Sequence, residues 1–84
     1  MDERLRTLEL FAWLGEDELG SKRIGIKQGV VPAGVIPIVV MGEDRVKAER
    51  LYEQMNMQAK HYGKKIRLCR FVFAGVALTT ESGA

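Results

Sequence analysis

A second cysteine is missing from this 84-residue sequence. Cys69 therefore has no internal disulfide partner, and the stapled framework of small secreted domains is excluded. A second histidine is missing too, so His61 and Cys69 do not make up a tetrahedral zinc site, and no metal is expected. No long apolar run exists either. The uncharged stretch 29–42 contains Pro32 and Pro37, and it falls short of the about 20 apolar residues that span a bilayer. The charged start Met1-Asp2-Glu3-Arg4 leads into no apolar segment of signal-peptide type. The expectation is a soluble, cytoplasmic protein with no membrane partner.

Acids are absent from residues 54–80, where Lys60, Lys64, Lys65, Arg67 and Arg70 make a cationic C-terminal third. Across the whole chain 13 basic residues face 11 acidic ones, and a net charge of +2 does not call for nucleic acid or an anionic membrane. The hydrophobic share of 46% with 29% charged residues is that of a folded globular chain. Residues 1–84 are expected to form a single small domain, with a frayed tail from about residue 80. A chain this short buries only about 60 to 65% of the surface its unfolded form exposes, which favours completion by self-association.

The clearest periodicity lies in residues 44–62. Ala48, Leu51, Tyr52, Met55, Ala59 and Tyr62 recur at helical spacing, with Asp44 as N-cap and Gly63 as the stop. After Gly63 the period becomes two. Ile66, Leu68, Val72, Ala74, Val76 and Leu78 share one strand face, interrupted by Arg70, while Arg67, Cys69, Phe71 and Phe73 share the other. Residues 7–14 read as a strand, with Leu8, Leu10, Ala12 and Leu14 opposite Glu9, Phe11 and Trp13. A helix from Asp2 capped by Gly15 is the alternative; Phe11 and Trp13 favour the strand. Residues 23–31 and 35–41 supply two further strands around a turn at Pro32-Ala33-Gly34, with Pro37 confined to an edge or bulge. The sum is an α+β fold of order β-β-β-α-β, a mainly antiparallel four-stranded sheet with one helix on one face. One helix leaves the other face open to solvent, a ligand or another copy, and the open face is expected to carry Phe and Trp rings with interspersed cations.

Motifs of catalysis are weak. Residues 15–22 have the glycine spacing of a phosphate loop, but Ser21 and Lys22 stand in reversed order and Glu16, Asp17 and Glu18 would repel phosphate. The acids also lack the pattern of a calcium loop. Cys69 and His61 sit in no recognisable nucleophile frame, so Cys69 reads as a packed small residue. No catalytic residues and no cofactors are expected, and the chain reads as a non-enzyme. Binding remains: strand cations hold phosphate or carboxylate, and exposed rings stack on a base. On this basis Phe11, Trp13, Lys27, Arg67 and Arg70 are the candidate ligand-binding residues. An internal ion pair of Arg70 with Glu9 or Glu49 competes with that role.

The segment 9–21, with Gly25-Ile-Lys-Gln-Gly and Pro32-Ala-Gly-Val-Ile-Pro, resembles short uncharacterised proteins carried by phages and prophages. Some such proteins form symmetric oligomers that sequester nucleotide-derived immune signals between subunits. The resemblance implies a role of that kind in a host cytoplasm and assigns no role to any single residue. The expected function is a non-enzymatic homo-oligomer that takes a small anionic, nucleotide-like ligand. The alternative is an interaction module or inhibitor that docks its apolar sheet face on a host protein.

Overall fold

In a computed structural model, residues 2–16 and 23–81 are described. One helical turn, α1 (Glu3–Arg6), precedes strands β1 (Glu9–Glu16), β2 (Ile24–Ile26), β3 (Gln28–Val31), β4 (Gly34–Pro37) and β5 (Val39–Met41). A 3₁₀ turn (Gly42–Asp44) leads into helices α2 (Arg45–Glu49) and α3 (Tyr52–Tyr62), and strand β6 (Ile66–Val72) follows. The fold is α+β, with an antiparallel four-stranded sheet of β1, β2, β5 and β6. The acidic loop over 17–22 and the last residues of the expected frayed tail, 82–84, lie outside the described residues.

The ambiguity at the start resolves into both elements in turn. Asp2 accepts a hydrogen bond from the Arg4 amide at 2.9 Å and caps a single turn, and the chain then extends from Glu9. β1 is the centre of the sheet. β6 pairs with it from Glu9↔Val72 to Gly15↔Ile66, so β2 and β5 must share its other edge end to end. Between them the chain leaves the sheet. At the junction the Lys27 amide donates to the Trp13 carbonyl and the Ile38 amide to the Lys27 carbonyl, each at 2.8 Å. From there β3 and β4 run out as a separate two-stranded ribbon in register Val30↔Val35. The expected runs 23–31 and 35–41 thus each break in two, at Lys27 and Ile38, because one edge of β1 has length for only parts of both. The turn at Pro32-Ala33 stands as expected, and Gly34 closes it with φ +135°, a backbone conformation that needs glycine.

The helix over 44–62 is present with a break at Arg50 and Leu51. Asp44 precedes α2 without capping it by a side-chain hydrogen bond; its carboxylate lies 3.3 Å from Lys47 Nζ instead. Gly63 ends α3 in the left-handed conformation, φ +64°, and its amide donates to the Ala59 carbonyl. β6 ends at Val72, so Val76 and Leu78 fall beyond the strand on which the alternation placed them.

The buried apolar core among the described residues is small: Phe11, Ala12, Trp13, Ala48 and Met55. Cross-strand pairing puts Phe11 and Trp13 on the same face as Leu68, Arg70 and Val40, and α2 packs there. The opposite face carries Leu10, Leu14, Ile24, Ile26, Met41, Cys69 and Phe71. The expectation for the open face is therefore corrected in part: the rings of Phe11 and Trp13 lie beneath the helix, and the face left open is largely aliphatic, with Phe71 as its ring and Arg67 as its cation.

Candidate functional site

Trp13 is held from two sides. Its backbone carbonyl accepts from Lys27, and its indole Nε1–H donates to the Ala48 carbonyl at 2.9 Å. Ala48 is small enough to let α2 approach, and the hydrogen bond satisfies the polar atom that burying an indole would otherwise strand. Phe11 lies alongside, with the Arg45 guanidinium 5.0 Å from its ring centre. Both rings are 4% exposed. They are core side chains, and neither presents a ring face on which a base can stack.

Arg70, the cross-strand partner of Phe11, is on the helix-covered face and donates from Nε to Glu9 Oε2. Gly42 makes room for this pair. A methyl group there would sit 2.6 Å from Glu9 Oε1 and 3.1 Å from its Cβ. The guanidinium that interrupts an apolar strand face is thus answered within the chain, as an ion pair of modest strength in a half-exposed setting. Of the two roles weighed for Arg70, the internal pair with Glu9 is the one present.

The remaining two candidates are separated. Lys27 is half-buried at the strand junction, whereas Arg67 pairs with Leu14 on the open face, near the start of β6. The five residues singled out by composition do not converge.

Arg67 instead joins a group that residue pattern alone passed over. Lys60, Gly63, Lys64, Lys65 and Arg67, with Ala59 and Ile66, line an open cleft of about 400 Å³ where α3 ends and β6 begins. Among the described residues its lining contains four cationic side chains and no carboxylate. The acid-free stretch 54–80 was the signal for it. The cations gather because Gly63 folds the end of α3 back against β6. Glu16 lies next door, lining a smaller hollow with Leu14, Ile24, Lys65, Arg67 and Cys69. Cationic side chains bordering an open cleft attract phosphate or carboxylate.

Other chemistry has less to work with. Cys69 pairs with Ala12 on the open face, whereas His61 belongs to α3 on the other side of the sheet and stacks edge-on against Tyr62 at 4.7 Å. Among the described residues no three His, Cys, Asp or Glu side chains gather where a metal ion could be held, and no helix is long and apolar enough to cross a membrane. At the far end of the molecule the hydrogen bonds of Arg4 hold the Asp2 carboxyl below its usual range, and the Arg4 guanidinium is raised in turn. No protein-family model, curated protein or solved structure matches the chain.

Proposed function

We propose that this chain is a non-enzymatic, self-associating binding protein that takes a small phosphate-bearing or otherwise polyanionic ligand, of nucleotide type, in the cleft between α3 and β6. The observation that carries this reading is the convergence of Lys60, Lys65 and Arg67, with Lys64 beside them, on one open cleft. Lysines act there as mobile point charges, and Arg67 offers a planar fork to two phosphate oxygens at once. A modest net charge of +2 suits a compact anion better than a polynucleotide, whose affinity rests on many phosphate contacts. Burial of Phe11 and Trp13 removes the stacking platform the sequence had suggested, so charge rather than ring stacking is the main source of affinity.

Isothermal titration with ATP and with a cyclic dinucleotide at low salt tests the reading. The wild-type protein binds one or both, and binding weakens as salt is raised. In a Lys65→Gln/Arg67→Gln variant affinity falls about tenfold or more, as expected for lost charge-assisted hydrogen bonds. Absence of binding by the wild type, or equal binding by the variant, overturns it. The bare apolar face opposite the helix supports a second reading, docking on a host protein, and capture of a stoichiometric protein partner by a chain that binds neither anion would favour it.

A further inference from the structure

The chain has far more surface than its mass requires. Its accessible area is 7064 Å², against about 5,000 Å² for a compact monomer of this mass. Its radius of gyration is 15.4 Å with extents of 50 × 28 × 27 Å, where a compact chain of this length has about 12 Å. Two apolar surfaces stand out. One is the β3–β4 ribbon, on which Val30, Val35 and Ile36 are 85%, 59% and 49% exposed. The other is the open sheet face, where Ile24, Ile26 and Phe71 are exposed. A lone two-stranded ribbon is marginal in water, and among the described residues this one pairs with no other strand.

We infer that a second copy of this chain covers both surfaces in a reciprocal dimer, in which the β3–β4 ribbon of each copy lies across the open sheet face of the other. The inference rests on the self-association in the function proposed above and identifies the surface responsible. The area supports it: the excess of about 2,000 Å² is shared among the ribbon, the open face and residues 73–81, which form no regular element, and burying about half of it on each copy reaches the about 2,000 Å² total at which obligate dimers begin. Lengths agree as well. Strands of four residues reach about 13 Å, and the eight-residue β1 offers about 27 Å to receive them. Like-charge repulsion does not oppose it, because the ribbon residues 28–37 carry no charge to set against Arg67 and Glu16 of the open face. Packing face on face would leave both ribbons bare, and packing ribbon on ribbon would leave both faces bare. A reciprocal exchange covers all four surfaces under one closed two-fold symmetry.

Sedimentation equilibrium at micromolar concentration is the test, with Trp13 fluorescence as the check on folding. The wild-type protein should have twice the 9.4 kDa chain mass. Val35→Lys on the ribbon and Ile26→Glu on the face should each yield a folded monomer. An equimolar mixture of the two should return to dimer, because one ribbon-face contact is then wild type and the other sets lysine against glutamate. As an independent measurement, a short bismaleimide should link Val35→Cys chains into dimers through Cys69 of the open face, and Cys69→Ser should abolish ribbon-to-face linkage. A wild-type monomer overturns both this inference and the self-association in the proposed function. A dimer that persists in both variants, or fails to re-form on mixing without ribbon-to-face linkage, overturns the ribbon assignment alone. A monomer that captures a different protein through this face assigns the surface to that partner and overturns the dimer.

Discussion

The two faces of β1 are built from apolar side chains of similar total size, yet one became the core and the other stayed open. On the helix side Phe11 and Trp13 are buried against Ala48. On the far side Ile24, Ile26, Met41 and Phe71 remain exposed around Ala12, which its neighbours bury. What separates the faces is the polar requirement of one side chain. An indole can be buried only with a partner for its N–H, and the broken helix offers the Ala48 carbonyl at 2.9 Å over a residue small enough to allow close approach. Aliphatic side chains make no such demand, so nothing within the chain selected the far face for cover. Hydrophobicity alone does not decide which face of a small sheet is its core.

The comparison can be broken most forcefully at Trp13. Trp13→Ala removes the largest core side chain and leaves the Ala48 carbonyl without its donor. Chemical denaturation should show a loss of about 3–5 kcal/mol, enough to unfold much of a marginal domain. A variant that melts as the wild type does would show that the helix side is not the core.

A middle-sized effect is expected where glycine makes room for an ion pair. Gly42→Ala places a methyl group 2.6 Å from Glu9 Oε1 and 3.1 Å from its Cβ, so the Glu9 side chain must shift and its pair with Arg70 is disturbed. The expected cost is about 1 kcal/mol in thermal or denaturant melts. Gly34→Ala in the ribbon turn is the matching control. There φ is +135° but nothing lies within 4 Å of the added carbon, so the penalty is backbone strain of about 1 kcal/mol and should stay local to the ribbon. If Gly34→Ala proves the costlier of the two, the ribbon is more tightly coupled to folding than its exposure implies.

The smallest effect concerns Asp2 and Arg4. A carboxyl whose pKa is lower folded than unfolded stabilises the folded form above its unfolded pKa, and that contribution is lost as pH falls through the folded value. The group is fully exposed, so the change should register as fraying of the Glu3–Arg6 turn with no shift in the global midpoint. Following the Asp2 and Arg4 resonances by NMR through an acid titration checks this. Asp2→Asn should remove the pH dependence of the turn while leaving the sheet signals in place.

The sequence by itself determined the class of this protein and most of its elements. Helical spacing from Ala48 to Tyr62, the stop at Gly63, the period of two after Ile66 and the turn at Pro32-Ala33 are local signals, written by side-chain direction and backbone permissiveness within a few residues. A pair of Arg70 with Glu9 or Glu49 was among the outcomes its place on an apolar strand face allowed, and the fold chose Glu9. Only the tertiary structure decided three things. The helix took the Phe11 and Trp13 face, because the match of an indole N–H to a carbonyl 35 residues away leaves no trace in hydrophobic pattern. The runs on either side of the turn broke at Lys27 and Ile38, since the length of edge on β1, not local propensity, limits how much of each can pair. And Lys60, Lys64, Lys65 and Arg67 came to line one cleft because the left-handed residue at Gly63 turns the end of a helix onto the start of a strand, a geometry that charge counting along the chain does not contain.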